Sequence, residues 1–162
     1  AMPHIDLSEI PSPSSFRHRI DLQMRFNDID ILGHLNNTVY FSLYDTGKAY
    51  YLEAVNMGKM NWQRVESVIA NINCQFIPPI YFGEPIEICT RCEHIGQKSI
   101  TLFQMLVNKD TQEVKSICRS VMVAIDPDTK KSVGVPEKWH QGIRLYEEGL
   151  ETPPPTLLKE KL

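Results

Sequence analysis

One long helical pattern lies between strand-like segments, and this order restricts the fold more than any other feature of the chain. From about Thr38, apolar residues recur at three- and four-residue steps for roughly five turns, and Gly58 is a suitable end. The segments on either side alternate apolar and polar residues, which is typical of half-buried strands. This order predicts an α+β fold in which an antiparallel sheet carries one helix across a face.

The strand-like segments are joined mostly by short turns. The first is HRIDLQMRF, which runs to Phe26, and four more follow the helix: SVIANINCQF, EPIEICTRCEH, SITLFQMLVN and EVKSICRSVMVAI. A short second helix is expected after Pro136, because proline suits the first turn of a helix. The last two strands carry apolar residues on both faces, so both faces need cover. We expect a second subunit to cover the face that the helix leaves open.

The predicted long helix has two further features. Gly47 lies within the apolar stripe, although glycine costs about 1 kcal/mol in a helix interior relative to alanine. We therefore expect the helix backbone to approach another element closely there. Asp45, Lys48 and Glu53 fall largely on the polar side of the pattern.

Length and composition indicate one ordinary globular domain. The chain has 162 residues, 42% of them hydrophobic and 23% charged. Residues 1–16 and 151–162 are proline-rich and polar, so we expect a flexible arm and a flexible tail around one domain over residues 17–150. The net charge of −3 disfavours nucleic acid or an anionic membrane as the main partner. Since neither a bilayer-spanning apolar run nor a secretory signal is visible, we expect a cytoplasmic protein.

The cysteine pattern does not favour a metal or redox motif. Cys89 and Cys92 form a C-x-x-C, but they lie in a strand-like segment. An odd separation on a strand directs the two side chains to opposite faces, so we expect buried or half-buried free thiols. The five histidines are scattered, and no ligand-spaced cluster predicts a metal site.

The junction between the first strand and the long helix, RFNDIDILGHLNN, is unusually rich in polar residues. Asn36 or Asn37 suits the cap of the helix, and Gly33 permits a sharp turn before it. An aspartate beside a helix N-terminus would combine a base or nucleophile with donors for a developing oxyanion, which acyl transfer requires. The alternative is that Asp28, Asp30 and the asparagines only cap and solvate a loop, and the pattern alone leaves both interpretations open.

The longer stretch RFNDIDILGHLNNTVYFSLYD resembles the signature of the hotdog-fold acyl-CoA thioesterases, in the branch that includes 4-hydroxybenzoyl-CoA thioesterase. The residues that carry the resemblance are Phe26, Asp28, Asp30, Gly33, His34, Asn36, Asn37 and Tyr40. It extends through the strand order and the turn from Gly96 to Ser99, over roughly residues 17–147. Plant acyl-ACP thioesterases share much of the motif, so the motif does not decide whether the acyl group is carried by coenzyme A or by acyl carrier protein.

The resemblance implies a hotdog fold, with about five or six antiparallel strands wrapped around one long central helix. It implies an enzyme that hydrolyses an acyl-CoA or acyl-ACP thioester to a free acid and a thiol. Asp30 takes the catalytic position, as a nucleophile or as a base that activates water, and the backbone N–H of Asn37 polarises the carbonyl. His34 is either a third catalytic residue or a structural histidine. Coenzyme A is part of the substrate, and no separate cofactor is implied.

Other positions in the resemblance concern binding. Gly33, Asn36 and Tyr40 shape the site, and the coenzyme A phosphates are expected at basic or hydroxyl residues near two turns: Lys98, Ser99, Lys130 and Lys131. Subunits of this fold pair edge to edge, which implies a homodimer or homotetramer whose site both chains complete. Asn71, Asn73 and Gln75 are candidates to face the partner's side of the pocket.

Three alternatives remain open at this point. Some hotdog thioesterases use a carboxylate on the long helix, for which Asp45 or Glu53 is available. A hydratase or dehydratase of the same fold would use His34, although its proline- and glycine-rich loop is missing here. A non-catalytic protein that binds acyl thioesters is the third reading.

Overall fold

The computed structural model describes residue 8, residues 10–56, residue 61 and residues 63–148. Gly58 and the tail over 151–162 lie outside the described residues, as do residues 1–7 and 9 of the expected arm. None of the helices described is long and apolar enough to cross a membrane.

Five strands form one antiparallel sheet, and a long helix packs on it. The elements in chain order are β1 (His18–Leu22), α1 (Asn37–Val55), β2 (Ser67–Phe76), β3 (Ile86–Ile95), β4 (Ser99–Asn108), β5 (Val114–Ala124) and α2 (Glu137–Tyr146). The strand order is β1-β3-β4-β5-β2, with every neighbouring pair antiparallel. The α+β architecture predicted from the sequence is confirmed.

The helix α1 runs along the sheet, so its two halves pack on different ends of the strands. Its first half contributes Tyr40, Leu43 and Tyr44 to a cluster that includes Ile86, where β3 begins. Its second half contributes Tyr51, Leu52 and Val55 to a cluster that includes Ile95, where β3 ends. The N-terminus of α1 is therefore held at the end of the sheet where β3 begins.

Gly47 is the point of closest approach between α1 and the sheet. A Cβ atom there would lie 2.5 Å from Cδ1 of Ile88 and 2.9 Å from Nε2 of Gln104. Nε2 of Gln104 also donates a 3.0 Å hydrogen bond to the carbonyl oxygen of Tyr44. The close approach predicted from the sequence is confirmed.

The strand β1 is shorter than the alternating pattern predicts. It ends at Leu22, and the chain turns into a single 3-10 turn over Phe26–Asp28. Phe26, which the pattern places on the buried face of the strand, is 84% exposed. The side chain of Asp28 accepts the N–H of Arg25, and this local bond closes the turn and ends the strand.

The alternation in β2 is also interrupted. Its pairing with β5 shifts register between Ile69 and Asn71, which is the signature of a β-bulge. Val68 and Phe76, both predicted to face the core, are exposed. Because β2 is an edge strand, an extra residue there is tolerated without disturbing a second neighbour.

The face of the sheet opposite α1 is covered in part by the N-terminal segment of the same chain. Phe16 is 4% exposed, and its ring stacks on Phe103 at a centroid distance of 6.1 Å. Ile10 packs against the same cluster, which includes Cys89 and Met105. Both faces of the central strands are buried as predicted. Residues 10–16 belong to the segment expected to be a flexible arm, yet Phe16 and Ile10 supply part of the cover that we expected from a second subunit.

The cysteines of the C-x-x-C lie on opposite faces of β3. Cys89 belongs to the Phe16 cluster, whereas Cys92 packs under the second half of α1. Both thiols are free and buried. The prediction that their side chains point to opposite faces and do not meet is confirmed.

Candidate active site

The loop between β1 and α1 forms a narrow hairpin. The N–H of Asn36 donates to the carbonyl oxygen of Asp28 at 2.8 Å, and the N–H of Asp30 donates to the carbonyl oxygen of His34 at 2.8 Å. Gly33 closes the tip, because its N–H donates to the carbonyl oxygen of Asp30 at 3.0 Å with φ at +82°. A side chain with a Cβ rarely adopts that φ, so a glycine is required there.

The hairpin is fixed to the segment that follows β2. The N–H of Leu35 donates to the carbonyl oxygen of Ile80 at 2.7 Å, and both residues are fully buried. His34 forms an isolated bridge with Tyr81, and its ring meets the tyrosine ring edge-on at 5.0 Å. These contacts give the half-buried His34 a structural environment in the single chain.

Asp28, the first aspartate of the motif, has a structural role. It is buried, and its carboxylate accepts hydrogen bonds from the backbone N–H of Arg25 at 2.8 Å and from its guanidinium at 2.9 Å. The hydrogen bond from the Arg25 side chain lowers the pKa of Asp28 below its ordinary value. This carboxylate holds the turn that precedes the hairpin.

Asp30, the second aspartate, is bound through one of its two oxygens. Its Oδ1 accepts the N–H of Leu32 at 2.9 Å and the N–H of His34 at 3.3 Å. Its Oδ2 accepts no hydrogen bond from the residues that the structure describes. The side chain is half-buried, so one carboxylate oxygen is oriented by the loop while the other can meet a ligand.

The helix α1 begins directly after this hairpin. Asn36 caps it, since its side-chain oxygen accepts the N–H of Thr38 at 3.0 Å and its carbonyl oxygen accepts the N–H of Val39 at 2.9 Å. Asn37 is the first helical residue, and within the described chain no hydrogen bond uses its N–H. Such an N–H points out of the helix end and carries part of the positive pole of its dipole.

Asp30 and the start of α1 are joined by the backbone bonds of the hairpin. The pair Asp30–His34 and the pair Asp28–Asn36 are two residues apart along it, a backbone separation of about 7 Å. A carboxylate and a free helix-terminal N–H in one loop are the two kinds of group that acyl transfer requires, a base or nucleophile and an oxyanion donor.

Exposed apolar side chains surround this junction, and we call them the apolar rim. Its members are Phe26, Ile31, Leu32, Tyr81 and Phe82, all of them exposed. Ile31 at the hairpin tip is 99% exposed, and Phe26 meets Phe82 edge-on at 6.0 Å. Contiguous exposed apolar residues mark a surface that binds something.

Tyr40 lies beneath the first turn of α1. It is buried, and its ring meets Phe76 edge-on at 4.8 Å. Burial raises the pKa of its hydroxyl. Tyr40 therefore packs beneath the candidate site in this chain, and its buried ring supports the first turn of α1.

The four candidate phosphate contacts lie at the far end of the sheet. Lys98 and Ser99 are at the start of β4, and Lys130 and Lys131 form the turn after β5. The hairpin lies near the start of β3, a strand length of about 30 Å away. Within one chain the structure therefore does not bring these residues together with Asp30.

A separate cavity of about 280 Å³ lies between α1 and β2. Its lining combines apolar and polar residues with two ion pairs: Asp45, Lys48, Ala49, Leu52, Asn61, Arg64, Val65, Glu66, Ser67, Ile69 and Met122. Lys48 was predicted on the polar side of α1 but is 3% exposed, with its Nζ 3.3 Å from Asp45. The helical pattern gave no sign of this burial, because the residues that line the cavity with Lys48 come from the segment before β2, from β2 and from β5. Asp45 and Lys48 are three positions apart, and residues at that spacing are neighbours on a helix, so the sequence did indicate that these two could form an ion pair.

Comparison with known proteins agrees with the fold and the motif. The model of the thioesterase-like superfamily matches residues 24–143. The protein YsmA of Bacillus subtilis is 25% identical over 130 residues, which are 80% of this chain and 87% of that protein.

Solved structures share the same fold. The PA5185 protein of Pseudomonas aeruginosa superposes with a TM-score of 0.76 at 22% identity, covering 87% of this chain and 99% of that chain. A thioesterase of Thermus thermophilus, solved with coenzyme A and zinc, superposes with a TM-score of 0.73 at 23% identity, covering 82% of this chain and 95% of that chain. The sheet wrapped on α1 is the hotdog fold. The chain belongs to the thioesterase-like superfamily, whose model spans the hairpin, the long helix and all four strands that follow.

Proposed function

We propose that this protein hydrolyses an acyl thioester of coenzyme A or of acyl carrier protein, releasing a free acid and a thiol. One observation carries the proposal: a hairpin closed by backbone hydrogen bonds carries Asp30 and leads directly into the N-terminus of the long helix α1. One oxygen of that carboxylate and the N–H of Asn37 remain available to a ligand in the described chain. Membership of the thioesterase-like superfamily supports the reaction class.

The chemistry at this site follows from the two available groups. In one route, Oδ2 of Asp30 attacks the thioester carbon, the thiolate leaves, and water hydrolyses the resulting mixed anhydride. In the other, the carboxylate takes a proton from water, whose oxygen attacks the same carbon, and the proton passes to the departing thiolate. In both routes the carbonyl oxygen becomes negative, and the Asn37 N–H at the helix N-terminus stabilises it.

His34 and Asn36 act indirectly in this proposal. The N–H of His34 orients Oδ1 of Asp30, and the Asn36 cap fixes the first turn of α1, which directs the N–H of Asn37. The ring of His34 rests on Tyr81. We therefore assign His34 a positioning role.

Coenzyme A is the carrier that we propose first. A structural neighbour from Thermus thermophilus was solved with coenzyme A bound, and this chain superposes on 95% of it. The four candidate phosphate contacts lie far from the hairpin: Lys98, Ser99, Lys130 and Lys131. If they bind the coenzyme A phosphates, they therefore bind those of a substrate whose thioester lies at the hairpin of another subunit. We expect a homodimer or homotetramer to supply that second subunit, paired through an edge of the sheet such as β2, which carries exposed apolar residues.

A non-catalytic acyl-thioester-binding protein is the second candidate. The hydrogen bonds from Leu32 and His34 to Oδ1 favour it, because they are those of an ordinary aspartate turn that shapes a loop. In that case the apolar rim and the cavity beside α1 would bind ligand without turnover.

Thiol release separates these candidates. Purified protein is assayed with short, long and aromatic acyl-CoAs and with acyl-ACP, and the products are identified. Free acid together with free thiol, lost on Asp30→Asn, supports hydrolysis. Tight binding with no turnover supports the binder, and an enoyl product with no free thiol indicates a hydratase or dehydratase.

A further inference from the structure

Cys74 and Cys118 lie directly opposite each other on β2 and β5. The N–H of Ile77 donates to the carbonyl oxygen of Lys115, which identifies that pair as hydrogen-bonded. Hydrogen-bonded and non-hydrogen-bonded pairs alternate along an antiparallel ladder, so Cys74 and Cys118 form a non-hydrogen-bonded pair. Their Cα atoms are then about 4.5 Å apart, within the range that a disulfide bridges.

Both side chains project from the face of the sheet that α1 covers. Cys118 is buried in the cluster beneath the first half of α1, and Cys74 packs against that cluster while remaining half-buried. A small oxidant can therefore reach Cys74 first, and the nearest thiol to it is that of Cys118.

The surroundings favour the thiolate of Cys74. The thiol of Cys118 and the hydroxyl of Ser116, 3.5 Å from Sγ, both hydrogen-bond to it, and the buried ammonium of Lys48 adds a positive charge. Together they lower the pKa of Cys74 despite its partial burial. The pKa of Cys118 is raised, because it acts as the donor to Cys74 and is buried.

The other two cysteines lack this environment. Burial raises the pKa of both Cys89 and Cys92 to about 12. They lie on opposite faces of β3, so neither has a partner thiol within its own cluster. A metal site at Cys74 and Cys118 is not favoured, since the described residues contain no group of three histidine, cysteine or acidic side chains suited to a metal.

We propose that Cys74 and Cys118 are a redox-active pair that a hydroperoxide converts to a cross-strand disulfide. The thiolate of Cys74 attacks one oxygen of hydrogen peroxide, which breaks the O–O bond and gives a sulfenic acid and a hydroxide ion, and the hydroxide takes up a proton from solvent to become one molecule of water. The thiol of Cys118 then attacks the sulfenic sulfur and displaces the hydroxyl as a second molecule of water. The peroxide is reduced by two electrons and the dithiol is oxidised by two.

The disulfide would attach the edge strand β2 to β5 beneath α1. It would also end the contact between Cys74 and Ser116, whose hydroxyl accepts a 2.8 Å hydrogen bond from Tyr44 of α1. The inference concerns these two thiols alone and does not depend on thioester hydrolysis.

The test uses the reduced protein, exposed to hydrogen peroxide at neutral pH and then blocked with a maleimide. We expect the intact monomer to lose two hydrogen atoms, and two of its four thiols to be protected from the maleimide when the blocking is done on denatured protein. Trypsin together with a Glu-specific protease separates Cys74 from Cys89 by cleaving after Glu87. The linked peptides should then contain Cys74 and Cys118. A link that involves Cys89 or Cys92, or oxidation of Cys74 beyond sulfenic acid without any link, would overturn the proposal.

Variants and rates provide the controls. Cys74→Ser and Cys118→Ser should each abolish the link, whereas Cys89→Ser should form it as the wild type does. In the unmodified wild type, Cys74 should be alkylated at least about tenfold faster than Cys89 or Cys92. That measurement needs no substitution, so it decides the point even if a buried serine unfolds the chain. Equal alkylation rates for Cys74 and Cys89 would contradict the proposal.

Discussion

The carbonyl oxygen of Asp28 accepts a 2.8 Å hydrogen bond from the N–H of Asn36, the residue that caps α1. This bond joins the base of the hairpin to the start of the long helix, so the loop that carries Asp30 is tied by the backbone to the helix end that carries the Asn37 N–H.

Asn36→Ala should lower both stability and activity. The loss of the cap leaves the N–H of Thr38 without its partner and should cost about 1 kcal/mol of unfolding free energy. The matched control is Asn36→Asp, whose carboxylate also caps helices. Thermal melting and kcat/KM are measured for both variants. An Asn36→Ala protein with the same melting temperature as the wild type would show that the cap has no such role.

Asp28→Asn should destabilise the protein in a pH-dependent way. The carboxylate receives hydrogen bonds from Arg25, and an amide replaces a charge-assisted bond with a weaker one, at a cost of about 2 kcal/mol at pH 7. Because the folded pKa of Asp28 lies below its unfolded value, the stabilisation is complete above that unfolded value of about 3.9. It is lost as the pH falls through the folded pKa. Denaturant unfolding of wild type and variant from pH 7 to pH 3 should show converging stabilities; a constant gap would contradict the assignment.

Gly47→Ala should destabilise the protein even though alanine favours helices. The added methyl meets Ile88 and Gln104, both buried, and overpacking of this kind costs about 1–3 kcal/mol, which exceeds the helix-propensity gain of about 1 kcal/mol. Gly134→Ala is the control, because its nearest contact is the carbonyl oxygen of Gln97 at 3.7 Å. Denaturant midpoints of the two variants are compared with wild type. A Gly47→Ala protein as stable as Gly134→Ala would show that α1 does not approach β3 so closely.

Phe16→Ala should destabilise the domain if the N-terminal segment covers the second face. Phe16 stacks on Phe103, and the loss of a buried phenylalanine costs about 3–5 kcal/mol. Phe26→Ala removes the same side chain from a position that is 84% exposed, and surface changes usually stay within about 0.5 kcal/mol. Thermal unfolding measures both. Equal, small effects would indicate that residues 10–16 do not pack on the sheet.

The sequence predicted the architecture well because hydrophobic period reports burial directly. The predicted strand SVIANINCQF coincides with β2 (Ser67–Phe76), and SITLFQMLVN coincides with β4 (Ser99–Asn108). Gly47 was informative because a glycine inside an apolar stripe has few explanations besides close packing. The cap at Asn36 followed from capping preference, although Asn37 was an equal candidate on that ground.

The features that the sequence did not predict depend on tertiary position. Nothing in residues 10–16 shows that Phe16 will reach Phe103, more than eighty positions away in the chain. Lys48 is buried at a cavity that Arg64 and Ile69 also line, and Cys74 opposes Cys118 because of a register that the bulge between Ile69 and Asn71 helps to set. Lys98 and Lys130 lie at the end of the sheet away from the Asp30 hairpin because of the direction in which β4 and β5 run, and the family motif does not specify those directions. Such pairings become visible only when strand order and register are known.

The most direct measurement is the rate of thiol release by Asp30→Asn relative to wild type on the best acyl-CoA. The asparagine oxygen can still accept the N–H groups of Leu32 and His34, so the loop and the melting temperature should be preserved. Loss of the carboxylate should lower kcat/KM by at least about a hundredfold, the range of a general base, while Asp45→Asn should stay within a few-fold of wild type. Wild-type turnover in Asp30→Asn, or loss of turnover in Asp45→Asn alone, would contradict the account and move the chemistry to the long helix.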